Sequence, residues 1–451
     1  MSSTARYYTA SVVLFAVALL IGLLQANLSV RLAISVLALQ FAWRACTVSE
    51  GSTHPIGLYL ALSGLYVFAA FSEVALFGNR QNLDPGLMGD LADMGVGFLL
   101  FAAAGYLVCR RDGPVRASFS EVDLTMVKSS IYVCLILLTI STSLTIFAYG
   151  TSIGSISRAD LYSSDSSLLT VIRGVLATSF GISAVLIISY ERRTNNRLSA
   201  GRRLLLFSLI LYSLVDLLIL GDRRLPLMAI IGVGSVMLPS RFTWRQISIV
   251  SVLATILFVY GFVRNTPPNE WIETISSGDI LLAFSPASTE FGGLAVIGQA
   301  IGDFDHALAG FPSYADGFLQ LIPRALYESR PLSPTEWFIK NYFPELAASG
   351  ASYAFNQVIE ARMNLGLFGI AVIGLMTGAA IALLARIQYR GAAIGVPLCA
   401  NVFCFSMRMD MVSIVRTGVI SAIGTVTVLV IAETAARLSR PRQSLAARQP
   451  L

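Results

Sequence analysis

Lysine is almost missing from this chain: only Lys128 and Lys340 are lysine among 32 basic residues, and the rest are arginine. Charge of either sign is also scarce, at 13% of residues, against roughly 25% in a soluble domain. Together with 55% hydrophobic residues and a mean hydropathy of +0.72, this excludes a soluble globular protein. Histidine occurs twice, at His54 and His306. His54 falls in a short connection, and His306 beside Asp303 and Asp305 gives a weak metal-ligand signal on a loop. The five cysteines, Cys46, Cys109, Cys134, Cys399 and Cys404, all lie in or at the ends of apolar segments, so no disulfide framework is implied. Arginine in place of lysine has two readings. One is a GC-rich genome; the other is a use for guanidinium forks that grip phosphate or carboxylate in two places at once.

What the chain has is apolar runs long enough to cross a bilayer, near 8–26, 28–45, 56–77, 91–109, 127–148, 171–190, 204–220, 225–239, 247–263, 363–385, 393–409 and 412–435. These predict an all-α polytopic membrane protein of about twelve transmembrane helices, because lipid offers no partner to an unpaired backbone group. The first run follows Arg6, lacks a small-residue cleavage site and is followed at once by another, which reads as a retained anchor. Basic residues collect in alternate connections: Arg110, Arg111 and Arg116; Arg192, Arg193, Arg197, Arg202 and Arg203; Arg241 and Arg245; Arg386 and Arg390. Their side is then the cytoplasm, with both termini on it. The organisation expected is helices 1–9 over 1–263, a large periplasmic loop over 264–362, helices 10–12 over 363–436 and a basic cytoplasmic tail over 437–451. No repeat of the two halves is visible, which weighs against a transporter built from repeats.

The loop is the stretch the rest serves. Loops of this length are uncommon in compact proteins unless they are functional. It carries eleven acidic residues from Glu270 to Glu360, and the extracytoplasmic side as a whole keeps an unusual set of arginines: Arg158, Arg173, Arg223, Arg224, Arg264, Arg324, Arg330, Arg362, Arg408 and Arg416. Arg173, Arg408 and Arg416 sit at the ends of apolar runs, where an unpaired ionisable group is expensive and therefore a functional candidate. The alternative for each is a neighbouring acid: Asp222 or Asp216 for Arg223, Asp410 for Arg408, Glu360 for Arg362. Gathered at one headgroup level, the guanidiniums suit a diphosphate whose lipid tail stays in the bilayer. Glu290 and Glu360 stand in semi-apolar surroundings, and either would serve as general base towards a sugar hydroxyl. The alternative is a salt bridge to the arginines. The loop's aromatics, among them Phe311, Phe318, Tyr327, Trp337, Phe338, Tyr342 and Phe355, read either as a membrane belt or as platforms for sugar rings. Pro334 to Phe343 reads as an amphipathic helix lying across the mouth of a cavity, its start set by Pro331 and Pro334.

Four patches, IPRALYESRP followed by SYAFNQVIEARMNLGLFG, ISRADLY, GDRR and RMDMVSIVR, resemble the oligosaccharide repeat-unit (O-antigen) polymerases of the Wzy type. The resemblance covers the layout of the whole chain, while its specific residues are confined to those patches. It implies a GT-C-like membrane glycosyltransferase of the bacterial inner membrane. The enzyme would transfer a glycan from undecaprenyl diphosphate onto the non-reducing end of another lipid-linked repeat unit. By motif match, Arg324, Arg223, Arg408 and Arg416 would hold diphosphate or sugar carboxylates, and Glu360 would position the loop or the acceptor. Implied partners are the undecaprenyl-diphosphate-linked oligosaccharide, the lipid bilayer and a chain-length regulator protein, with no nucleic acid. No metal or cofactor is expected, since arginines can stabilise a departing diphosphate alone.

The expected site is therefore Glu360, Glu290 and Arg324 as catalytic, with Arg158, Arg223, Arg224, Arg264, Arg330, Arg408 and Arg416 binding substrate. Two alternatives stay open. An O-antigen ligase shares the architecture and donor but would lean on a loop histidine, for which only His306 is available. A lipid-linked oligosaccharide flippase would place its polar residues near the bilayer midplane.

Overall fold

A computed structural model describes residues 9–11, 13, 14, 16, 17, 28–48, 54–76, 82–110, 122–149, 167–218, 224–238, 273, 293–302, 304, 311–320, 322, 326, 327, 329–348 and 355–439. Among these the protein is helical throughout, and the nearest thing to a sheet is a single isolated bridge, Tyr389 with Ala392. The helices are α1 (Leu28–Thr47), α2 (Pro55–Leu76), α3 (Pro85–Cys109), α4 (Leu124–Tyr149), α5 (Ser167–Thr194), α6 (Ser199–Leu218) and α7 (Arg224–Met237). Four short ones follow, α8 (Gly293–Ile301), α9 (Tyr314–Leu319), α10 (Pro334–Tyr342) and α11 (Pro344–Ala348). The chain closes with α12 (Gln357–Leu384), α13 (Gly395–Phe403), a 3-10 turn (Ser406–Arg408) and α14 (Met411–Ser439).

Six of the described helices, α1, α3, α4, α5, α12 and α14, are long and apolar enough to cross a membrane. Two others carry shorter apolar stretches, Pro55–Phe68 in α2 and Arg224–Met237 for α7. The chain is thus a multi-pass membrane protein. The span expected over 247–263 lies outside the described residues, and that near 8–26 lies largely outside them.

Two packed cores organise the bundle. One joins α1, α2, α3, α8, α10 and α12 around Tyr59, Phe98, Phe338 and Phe355; the other joins α4 to α7 around Phe180 and Tyr212. Residues of α14 enter both, Ile414 the first and Val428 the second. The tightest seam is α3 against α12. A β-carbon on Gly105 or Gly378 would overlap the carbonyl oxygens of Leu375 and Ala102. With lipid tails as apolar as the side chains, close backbone contact of this kind is what holds two membrane helices together.

Two interruptions shape the region that follows. The first is in α12, where Gly366 adopts φ 65°, ψ −159°, a backbone region essentially closed to residues with a β-carbon. Beyond it, Leu367 to Leu384 is roughly 27 Å of helix at 1.5 Å per residue, close to the thickness of a bilayer's hydrocarbon core. Glu360, Arg362 and Asn364 thus stand on a separate helical turn ahead of the break.

The second interruption replaces the continuous span expected over 393–409. The amino ends of α12 and α14 meet, the Met411 N–H donating to Glu360 Oε2 at 2.7 Å. After α12 the chain meets the far end of α14, where Arg390 pairs with Glu433. The two helices therefore run parallel, and residues 395–410 must return along them. They do so as a nine-residue helix, a 3-10 turn and an extended Met409 (φ −137°, ψ 143°). Pro397 lies in the first turn of that helix, where proline is tolerated, and the helix ends at Phe403.

Candidate functional site

Irregular backbone in a membrane bundle needs protein or water around it, and the stretch Ser406–Ser413 is met by side chains from four helices, α2, α7, α10 and α12. Asn356, which caps α12 by accepting the Val358 N–H, donates through Nδ2 to the carbonyl of Met407 at 2.9 Å. The Arg408 guanidinium packs over the ring of Tyr66 on α2, 5.8 Å from its centre, a cation–π arrangement. Arg224, at the start of α7, donates through Nη2 to Thr417 Oγ1 at 2.7 Å and approaches Met409 Sδ at 3.4 Å. Asp410 caps α14, its Oδ1 accepting the Ser413 N–H at 2.7 Å, and its Oδ2 accepts the Thr335 hydroxyl of α10 at 2.9 Å. Glu360 completes the set through its bond to Met411.

Glu360 and Asp410 are 2% and 1% exposed, and among the described residues no arginine or lysine forms an ion pair with either. Both instead use the first turn of α14, whose unpaired N–H groups and dipole favour negative charge. Tyr314 lies close by. Its backbone N–H donates to Asn364 Oδ1 at 3.0 Å, and Asn364 Nδ2 donates to the Glu360 carbonyl at 3.1 Å. Its phenolic oxygen is buried, and no hydrogen-bond partner reaches it among the described residues. Burial, and after it the nearby Glu360 carboxylate, pushes the Tyr314 phenol far up from its ordinary value.

The structure thus brings Glu360, Arg224 and Arg408 together and adds Asp410, which sequence reading had set aside as a partner for Arg408. No ion pair joins those two among the described residues, and none joins Arg362 to Glu360. The signal for Asp410 was available: an aspartate three residues before Ser413, at the head of an apolar run, is a helix-capping pattern.

Arg330 donates through Nη1 to the carbonyls of Gln320 and Ile322 at 3.2 and 3.3 Å. Arg416 is exposed while Thr417 and Ile414 beside it are buried, so it turns away from the cluster. Arg173 is buried and grips Asp216 through two nitrogens, Nη2 to Oδ2 at 2.8 Å and Nε to Oδ1 at 3.1 Å, which supersedes the pairing of Asp216 with Arg223. Glu290, Arg324, Arg158, Arg223 and Arg264 lie outside the described residues, as do Asp303, Asp305 and His306.

Several of the loop's described aromatics pack on one another, while Phe318 and Tyr327 stay exposed. Phe311 meets Trp337 edge-on at 5.0 Å, Phe338 stacks on Tyr342 at 5.3 Å, and Phe355 closes on both Phe311 and Phe338 at 5.8 Å. Ring contacts of this kind build a small core of their own. It seats α10, whose start is fixed by a capping box between Ser333 and Glu336, and so holds Thr335 over Asp410.

At the other end of the bundle His54 packs edge-on to Tyr106 at 5.7 Å. Burial, then the charge of Arg110, lowers its imidazole to about 4. No family model, no curated protein and no solved structure matches the chain.

Proposed function

We propose that this protein is a bacterial inner-membrane polysaccharide polymerase with about twelve membrane crossings, a GT-C-like bundle and its long loop in the periplasm. In this reading it transfers a glycan from undecaprenyl diphosphate onto the non-reducing end of a second lipid-linked repeat unit. The observation that carries the reading is the cluster around Ser406–Ser413. Arg408 and Asp410 stand on broken backbone at the start of a membrane helix, and α7 and α12 bring Arg224 and Glu360 to the same stretch.

The chemistry such a cluster supports is economical. Arg224 and Arg408 attract the diphosphate. A carboxylate, Glu360 or Asp410, takes the proton of the acceptor hydroxyl as its oxygen bonds to the anomeric carbon. The bond from that carbon to the diphosphate oxygen breaks, and its electron pair leaves with the diphosphate. Arg324 and Arg223 stay in the proposal as further phosphate ligands, and Glu290 as a further carboxylate. A chain-length regulator remains the proposed protein partner.

The flippase reading draws on one specific observation, since broken helices also build transporter sites. Those sites lie near the bilayer midplane. Here the break lies level with the amino ends of α12 and α14, which favours chemistry at the membrane surface.

The test is polymerisation of purified lipid-diphosphate glycan by protein in nanodiscs. Glu360→Gln and Asp410→Asn are each compared with wild type, and loss of the residue acting as base should lower the rate by about 10²–10⁴. Arg224→Ala and Arg408→Ala should abolish long products while single units remain intact. Full-length polymer from all four variants would defeat the assignment. Glycan that crosses a proteoliposome membrane without being elongated would shift it to the flippase.

A further inference from the structure

The chain between α9 and α10 carries large apolar side chains where a loop in water would be polar. Phe318 is 72% and Leu326 79% exposed, and Leu319, Ile322 and Tyr327 are exposed with them. The loop is also closed on itself. Gln320 Nε2 donates to the carbonyl of Pro331, and Arg330 ties down the carbonyls of Gln320 and Ile322. The Ile322 N–H donates to the Leu319 carbonyl at 3.1 Å and the Arg330 N–H to the Tyr327 carbonyl at 3.3 Å. Each backbone group bonded from within lowers the cost of entering a medium without water.

The height of the loop is set by two contacts. Tyr314 at its start is bonded to Asn364, two residues ahead of the Gly366 break. Immediately beyond the break, Leu367 and Phe368 are exposed and begin the lipid-facing side of α12. Gly317 lies against Val412 in the first turn of α14, where a β-carbon would stand 3.2 Å from Val412 Cγ2. The exposed apolar residues therefore begin where the lipid-facing surfaces of α12 and α14 begin. An exposed apolar patch marks an interaction surface, and this one continues a surface already facing lipid.

We infer that Phe318, Leu319, Ile322, Leu326 and Tyr327 form an interfacial anchor, seated in the bilayer at the boundary between headgroups and acyl chains. The occupant of this surface is lipid. The anchor fixes the position of α9, and through Asn364 that of the turn carrying Glu360, relative to the membrane plane.

The test uses the full chain in nanodiscs, with a nitroxide label placed singly in Phe318→Cys, Leu326→Cys and, as a water-facing reference on α10, Lys340→Cys. Unsubstituted protein controls for labelling of the native cysteines. Labels at 318 and 326 should collide several-fold more with oxygen relative to a water-soluble nickel chelate than the label at 340, at a depth of about 5–10 Å. A Tyr327→Trp variant gives a label-free check, its added fluorescence being quenched by lipids brominated near the glycerol ester. Nickel access at either labelled site equal to that at 340 would overturn the inference. So would labels shielded from both reagents, which would mean that protein covers the patch.

Discussion

Gly366→Ala isolates the break in α12 from every other feature of the cluster. A β-carbon at Gly366 would stand 3.5 Å from Arg362 Nη1, an ordinary contact, so crowding contributes nothing. The cost is backbone: φ 65°, ψ −159° is a region that costs about 1–3 kcal/mol for a residue with a side chain. The chain has two responses, to keep the break and bear the strain, or to straighten. Straightening would part Tyr314 from Asn364, worth about 1 kcal/mol, and Met411 from Glu360, a bond to a carboxylate worth about 1.5–3 kcal/mol. Their sum exceeds the strain, so the break is kept and the folded state loses about 1–3 kcal/mol. Equilibrium unfolding in mixed detergent micelles measures this. The matched control is Gly418→Ala in α14, where a β-carbon meets nothing within 4 Å and helix propensity predicts a gain of about 0.5–1 kcal/mol. Equal stability of Gly366→Ala and wild type, or equal losses in the two variants, would refute the reasoning.

Other substitutions test other parts of the bundle. Arg173→Ala leaves Asp216 buried without its guanidinium fork and should cost about 3–5 kcal/mol, most of it regained in an Arg173→Met, Asp216→Leu double variant; chemical denaturation of both decides. His54 binds a proton less readily folded than unfolded, its imidazole standing near 4 against an ordinary value of about 6.5. Stability is therefore full above pH 6.5 and falls as the pH drops towards 4, by up to about 2 kcal/mol at pH 5. Melting curves should lose this dependence in His54→Gln. Gly378→Leu would drive its side chain into the Ala102 carbonyl and should abolish folding as judged by gel filtration, whereas Gly97→Ala, with open space around it, should leave the profile unchanged.

Helices were readable from sequence because a segment that crosses lipid must be apolar for its whole length, and the expected runs from 28–45 to 225–239 coincide with α1 to α7, of which α1, α3, α4 and α5 are long and apolar enough to cross. The interrupted crossing was not, since residues 393–409 are as apolar as a true span and the break is set by packing between α12 and α14. Glu360 was singled out by its semi-apolar neighbours, and Arg224 and Arg408 by an expected place opposite the arginine-rich connections. The structure sets Glu360 and Arg224 against the Met409–Thr417 stretch that follows Arg408. Asp410 was hidden by the arginine two residues before it, a pairing that proximity in sequence suggests and the geometry declines. The pairing of Arg173 with Asp216 spans 43 residues and depends on how α5 and α6 pack, which no local pattern encodes. Phe311, Trp337, Phe338, Tyr342 and Phe355, too, choose one another only once α10 is seated, while Phe318 and Tyr327 stay exposed.

The glycine seam between α3 and α12 has a consequence for how the protein is made. Arg386, just after α12, bonds the carbonyl of Cys109 at the end of α3, and the two residues are 277 apart in the chain. At 5–20 residues per second, α3 waits roughly 15–55 s during synthesis before its counterpart leaves the ribosome. Over that interval its notched face is held by lipid or by the insertion machinery. A nascent chain that stops short of α12 presents the same unfinished face, a natural mark by which membrane quality control can tell an incomplete product from a complete one.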